Sequence, residues 1–384
     1  MAEKIVVFGA GATGRGHVGL LAWQAGYEIV FVDINPGLVQ ILEKSGEYRV
    51  RLYGQTTQEV SVTGYRVYHA GQRKAVADEI RDAVLVLTAV FDQNLPDVAR
   101  TVALAVTDCR RTGRTAPLNC LACENMMDSS SVLGRHVHVH LTGDNAAYCD
   151  EYFGFPDCMI SRVVPRPEPD PLVIVAEDYN EWTARTETFK GPKPEALTAL
   201  KLVDNQTARL ERKLFIHNGG HAVCGYIGFH RGWKYIHEAV RDDVVAEHVL
   251  GALDELGAVI QTRHGFTRES IDAYKNNLVR RGSVPEMRDE ILRVVRDPLR
   301  KLSPNERLVA PAVLAEQYGL KREWIVKGIA ACLHYRHASD RQSIVMAKMI
   351  RNEGVNSVIE NICKIGARTP LARDIAAAYT AWKI

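Results

Sequence analysis

An apolar run at residues 4–10, KIVVFGA, leads directly into GAGATGRG, and a helical pattern follows to Ala25. Few folds accommodate that order. Gly9, Gly11 and Gly14 form G-x-G-x-x-G between a buried strand and a helix. Each position asks for glycine for its own reason: a tight turn, close approach of backbone to a diphosphate, and close helix-to-strand packing. The first N–H groups of such a helix lack intrahelical partners and face an anion. Arg15 stands in the same loop and is counted with the glycines as cofactor-binding. A second apolar strand, Glu28–Asp33, ends in a carboxylate 19 residues after Gly14. Asp33 there would accept hydrogen bonds from a ribose 2′-hydroxyl and repel a 2′-phosphate, so the motif predicts NAD rather than NADP.

Strands and helices continue to alternate. A helix starts at Pro36 and stops at Gly46, the usual placement of those two residues. YRVRLYG and QEVSVTG alternate at period two and predict a hairpin-like insert. DAVLVLTAV, the helix NLPDVARTVALAVTDC and the strand PLNCLACEN complete the pattern. Continuous apolar strands separated by helices imply a parallel sheet covered on both faces. Proline-rich stretches at 165–171 and 190–195 then change the character of the chain, and helical patterns without period-two runs extend almost to Ile384. The expected fold is an α/β Rossmann-type doubly wound domain at 1–190, binding NAD, followed by an all-helical substrate-binding and catalytic domain at 191–384. Within the latter, KLSPNERL predicts a helix start with Ser303 as N-cap and Pro304 in the first position.

A formal net charge of +2 on 384 residues argues against a nucleic-acid surface. No apolar run approaches 18 residues and no export signal opens the chain, so neither membrane span nor secretion is expected and the location reads as cytoplasmic. The eight cysteines are scattered, which suits reduced thiols. Cys120 and Cys123 lie three apart in a strand, so they point to opposite faces and read as structural. His136, His138 and His140 would share a face if RHVHVH were a strand, but no metal site is assigned.

The most concentrated chemistry is ERKLFIHNGGH, residues 211–221. On an α-helix Lys213, His221 and Asn218 fall at about 0°, 80° and 140°, one broad face. Hydride removal from an alcohol needs a base for the O–H proton and donors for the developing alkoxide. A lysine serves as base when burial lowers its pKa, and Asn218 and His221 can donate. Gly219 and Gly220 cost a helix roughly 2 kcal/mol against alanine, so they are expected to let a ligand lie against the backbone. A His217–His221 metal pair lacks an acidic partner nearby in sequence.

GAGATGRG, NCLACENM, ERKLFIHNGGH and RDPLRKLSPNERL together resemble the polyol-specific long-chain dehydrogenases, over nearly the whole chain and in the same order. The compact length is similar to the branch acting on phosphorylated polyols. The resemblance implies NAD-linked, metal-independent oxidation of a secondary alcohol, with Lys213 as base, and with Asn218 and Asn125 at the reacting oxygen. A substrate phosphate would need cations: Arg296, Arg300, Lys301 and Arg307 cluster in RDPLRKLSPNER and Arg336 with His337 lie in HYRHASDR, and of these Arg300, Lys301, Arg336 and His337 are assigned to the substrate. Four departures from the family pattern keep the substrate open: His17, Phe91 where glycine is usual, Ser161 where aspartate is usual, and Gly282 with Val284 between Arg281 and Pro285. A free polyol or a sugar acid of the uronate type is therefore the alternative ligand, and a non-catalytic NAD-binding sensor the further one. The partner expected is a small polyol or sugar phosphate, and the chain is expected as a monomer or small homo-oligomer.

Overall fold

The computed structural model describes residues 3–165 and 168–383. Arg166 and Pro167, in the first proline-rich stretch, lie outside the described residues. The chain divides into two compact units, Met1–Arg209 and Leu210–Ile384.

Twelve strands belong to the first unit: β1 (Lys4–Phe8), β2 (Glu28–Asp33), β3 (Glu47–Tyr53), β4 (Gln58–Thr63), β5 (Arg66–His69), β6 (Leu85–Thr88), β7 (Leu118–Ala122), β8 (Phe153–Gly154), β9 (Cys158–Ser161), β10 (Val173–Glu177), β11 (Glu181–Arg185) and β12 (Leu200–Val203). The main sheet has the order β5-β2-β1-β6-β7-β8, with every pair parallel. Its strands are apolar throughout because both faces are covered. Ile5, Val7, Ile29, Phe31, Leu85 and Leu87 pack into one cluster with Leu20 and Tyr48. Val6, Phe8, Val30, Val32 and Val86 pack into the other, against Val76, Ile80, Val98 and Val102 of the helices Arg73–Arg81 and Leu95–Arg111. Cys120 and Cys123 fall in opposite clusters, as their spacing predicts. The helix Pro36–Ser45 starts and stops as expected: the Asn35 side chain accepts from Gly37 N and Leu38 N, and Gly46 is left-handed at φ +63°.

Three expectations need correction. The stretch after the proline-rich region is not free of strands. β10 joins β3 in parallel to make a three-stranded sheet, β10-β3-β4, and β9, β11 and β12 form another. These strands are only four or five residues long, and β10 is buried on both faces, so no alternation marks it. RHVHVH is not a strand: Arg135–His138 end the helix Ser129–His138, Val139 and His140 follow in a turn, and His138 binds the Gly134 carbonyl and Asp150. Finally, no helix starts at Ser303. Its hydroxyl donates back to Arg300 O at 2.8 Å and closes the preceding turn, and the helix begins at Val309.

The second unit is helical among its described residues. The longest helix, Asp243–His264, is capped by Asp242, which accepts from Val244 N and Val245 N. Its Leu253, Leu256 and Ile260 share a core with Val223, Tyr226 and Ile227 of Gly220–His230 and with Ile329 and Leu333 of Glu323–His334. Buried Glu255 accepts from Trp324 N and Ile325 N, each at 2.9 Å, and so caps that third helix from outside it. Among the described residues no helix is long and apolar enough to cross a membrane.

A methyl group at Gly14 would overlap the Gly9 carbonyl oxygen, which is backbone and cannot yield. Gly14→Ala is expected to destabilise the protein by about 3 kcal/mol, the upper end of overpacking costs. An unchanged urea midpoint would show that the turn can rearrange.

Candidate active site

In the first unit the turn after β1 is built by steric necessity. Gly9 sits at φ +93°, and a Cβ there would overlap the Ala89 carbonyl beyond β6. Its N–H donates to Val32 O at 2.7 Å, tying the turn to β2. Gly14–Val18 is a π-helical turn. Gly11 differs from the other two glycines: a Cβ there would meet nothing within 4 Å, so its bare backbone faces open space. Asp33 accepts from Ala10 N and Asn35 N, both at 2.8 Å, and each oxygen keeps a further lone pair. Arg15 is buried rather than presented outward. Its Nε donates to Ala10 O and a terminal nitrogen to Pro171 O, both at 2.6 Å, and it lies over the Tyr48 ring. Its work in this structure is to shape the loop from beneath. Asn125 is exposed just beyond β7. Ser161 is buried on β9, and its hydroxyl has no hydrogen-bond partner among the described residues.

In the second unit the candidate residues Lys213, Asn218 and His221 lie on a helix that is not α throughout. Lys213–Gly219 is a π-helical turn, followed by the α-helix Gly220–His230. This changes the projection made from sequence. Lys213 and Asn218 are five apart, and an i→i+5 turn brings such residues to neighbouring positions on one face, where an α-helix would splay them. His221, three beyond Asn218, is its neighbour on the following α turn. Lys-x4-Asn-x2-His is thus the spacing of one π turn and one α turn.

The glycine pair keeps this helix slim for close packing. A Cβ at Gly220 would come within 2.6 Å of Leu253 Cδ2, and one at Gly219 within 3.0 Å of Arg307 O. The glycines let Asp243–His264 and the Arg307 backbone approach the reactive turn, and packing rather than a ligand explains them.

His221 is held by groups that sequence did not single out. Its Nε2 lies 3.1 Å from Asp289 Oδ2, and Arg293 binds both oxygens of the same carboxylate, at 2.7 and 2.8 Å. Burial pushes the Asp289 carboxyl up, but His221 and Arg293 outweigh it and hold it well below the usual carboxylate range. With Nε2 facing a carboxylate, Nδ1 is the ring atom left to address a ligand. Asp289 lies 68 residues after His221, and no spacing rule connects them. His217 is buried, its Nδ1 has no hydrogen-bond partner among the described residues, and its ring lies 5.9 Å from that of His221. Its pKa is pushed well below the usual histidine value by burial and then by the positive fields of Arg281, His221, Lys213 and Arg307. Lys213, Arg281 and Arg307 therefore all bring positive charge towards His217. No metal-binding cluster occurs among the described residues.

The four residues expected at a phosphate each have local partners. Lys301 is buried and donates to Arg296 O; burial, Arg307 and Arg300 bring its pKa down to about 7. Arg300 pairs with Glu306 at 3.0 Å. Arg336 donates to the Leu333 and Tyr335 carbonyls, and His337 Nδ1 meets Ser339 Oγ at 2.8 Å.

Comparison with known proteins places this geometry. The model described as the mannitol dehydrogenase Rossmann domain matches residues 3–197, and that of the mannitol dehydrogenase C-terminal domain matches 207–383. A mannitol-1-phosphate 5-dehydrogenase of Brevibacillus brevis (strain 47) is 37% identical over 367 residues, 95% of either chain. The fold is similar to that of Pseudomonas fluorescens mannitol 2-dehydrogenase, solved with NAD and D-mannitol. That match has a TM-score of 0.78 at 16% identity, covering 99% of this chain and 90% of the other. It is also similar to a substrate-free D-sorbitol dehydrogenase, with a TM-score of 0.75 at 17% identity over 94% and 95% of the two chains.

Asp289→Asn is expected to cost about 3 kcal/mol at pH 7, since it leaves His221 and Arg293 without their charged partner. The carboxyl is held below its unfolded value near 3.8. Its contribution is complete above that pH and is lost as the pH falls through and below it. Urea unfolding at pH 7 and pH 3 should show the gap between variant and wild type shrink; an equal gap at both would contradict an ionised Asp289.

Proposed function

The chain belongs to the mannitol dehydrogenase family, and we propose that it uses NAD to oxidise a secondary alcohol of a polyol phosphate, interconverting mannitol 1-phosphate and fructose 6-phosphate. The observation carrying this reading is the 37% identity with a mannitol-1-phosphate 5-dehydrogenase, which extends over 95% of both chains.

The first unit fits a dinucleotide. Gly9, Gly11 and Gly14 would hold its diphosphate at the helix start, with Gly11 giving the open approach. Asp33 would take the ribose hydroxyls on its remaining lone pairs, and its charge disfavours a 2′-phosphate. NAD supplies the hydride acceptor. The residues of this chain handle the proton and the oxygen. Lys213 takes the hydroxyl proton, Asn218 donates to the oxygen as it gains charge, and His221, oriented by Asp289, addresses a hydroxyl through Nδ1. Asn125 is the further contact that the family resemblance adds. No metal is required in this scheme, because the alkoxide is stabilised by a lysine ammonium and side-chain donors.

The cationic field around His217 favours a phosphorylated substrate over a neutral one, and it supports Arg281 and Arg307 as the phosphate contacts. Arg300, Lys301, Arg336 and His337 stay with them as candidate contacts, Arg300 and Arg307 sharing Glu306 as partner.

The test is NADH formation from NAD with mannitol 1-phosphate, free mannitol and a panel of other polyols, with uronates assayed in the reductive direction. Turnover confined to the phosphate ester is expected. Preference for a free polyol or a uronate would move the substrate while leaving the hydride chemistry. Lys213→Ala should lower kcat to below about a hundredth of wild type with NADH affinity retained; higher residual turnover would remove Lys213 from the role of base.

A further inference from the structure

Resting on the dinucleotide reading of the first unit, we propose that Phe91 is a positioning residue whose ring stacks on the nicotinamide. Four observations converge on it. The first is its place in the sheet. From β1 the chain builds outward through β2 to β5, then returns to lay β6 on the other side of β1. Strand order therefore reverses between β1 and β6, and in an open parallel sheet ligands lie in the crevice beyond the strand ends at that reversal. Phe91 follows the end of β6, three residues after Thr88.

The second is its proximity to the glycine turn. Ala89 N donates to Phe8 O at 2.7 Å, and the space above Gly9 is closed by the Ala89 carbonyl and a Val90 methyl. The segment carrying Phe91 thus borders the turn that holds the diphosphate.

The third is its backbone. Phe91 has φ +67°, a left-handed value that favours glycine, and the fold enforces it. Glu124 accepts from Thr88 Oγ1 at 2.7 Å, Val90 N at 2.9 Å and Phe91 N at 3.0 Å, while Asn94 donates to Val90 O from its side chain and to Phe91 O from its backbone. A carboxylate and an amide fix a phenylalanine where a glycine would sit without strain.

The fourth is what that conformation presents. Phe91 is 70% exposed, an apolar residue with a flat ring at the crevice. Ile34, 69% exposed, plays the corresponding part beyond β2 on the far side of the glycine turn. Apolar residues thus flank the diphosphate turn on both sides, as a molecule with a flat ring at each end requires. Asp33 sets the ribose of the adenosine on the β2 side, which leaves the β6 side and Phe91 to the nicotinamide. Ring-on-ring contact of this kind has a defined geometry and adds to the area buried.

The experiment compares wild type, Phe91→Gly and Phe91→Tyr by calorimetric binding of NADH and of ADP-ribose, which lacks the nicotinamide, together with KM for NAD and thermal unfolding. Phe91→Gly should bind NADH about tenfold more weakly, with KM for NAD raised in step and ADP-ribose affinity unchanged. Its melting temperature should not fall, because glycine accepts the positive φ. Phe91→Tyr should restore NADH binding. NADH affinity in Phe91→Gly equal to or tighter than wild type would overturn the proposal, and so would equal losses for NADH and ADP-ribose. Failure of the wild type to bind either ligand would overturn the dinucleotide reading itself, and this inference with it.

Discussion

With a Cβ at Gly9 or Gly14, the turn between β1 and its helix would overlap the carbonyl oxygen of Ala89 or of Gly9 itself, and the first unit is organised around the absence of those atoms. Their absence lets β6 close on β1 and lets the π-helical turn Gly14–Val18 start directly above the strand. Asp33 then links the turn to β2 through Ala10 N, and Arg15 braces it from below through Ala10 O. Each contact is local, but together they fix the turn and leave the Gly11 backbone facing open space.

The second unit follows a different constraint, the burial of positive charge. His217 is enclosed among Lys213, His221, Arg281 and Arg307, and burial together with their fields keeps its ring neutral. Two carboxylates bound that cluster. Asp289 holds His221 with Arg293, and Glu306 holds Arg307 at 2.8 Å with Arg300. Low-dielectric surroundings strengthen each of these fields. An anionic substrate group complements such an arrangement, and a neutral polyol uses only its hydrogen bonds.

Much of this was legible in the chain. The strands β1 and β2, the capped helix after Asn35 and the alternating insert β3–β4 follow from hydrophobic period and turn chemistry, which act over a few residues. The strand β10 was not legible because it is buried on both faces and carries no alternation, and β11 and β12, at five and four residues, are too short to show a period. Ser303 illustrates a local signal overridden. Its sequence context is that of an N-cap, but Arg300 O takes its hydroxyl and Glu306 is drawn to Arg300 and Arg307.

By itself the sequence determined the glycine turn after β1, the acidic end of β2, the helical second half and the grouping of Lys213, Asn218 and His221 as the candidate site. These depend on residue identity at fixed short spacing. Tertiary structure decided the rest. It set the π turn that puts Lys213 and Asn218 on one face, and it chose Asp289 as the partner of His221. It turned Arg15 and Lys301 inward to backbone carbonyls, and it held Phe91 at a positive φ of 67°. The physical reason is common to all four: a helix's hydrogen-bond register, a cation's partner and a strained φ are set by groups far away in sequence, and only the packed chain brings those groups within reach.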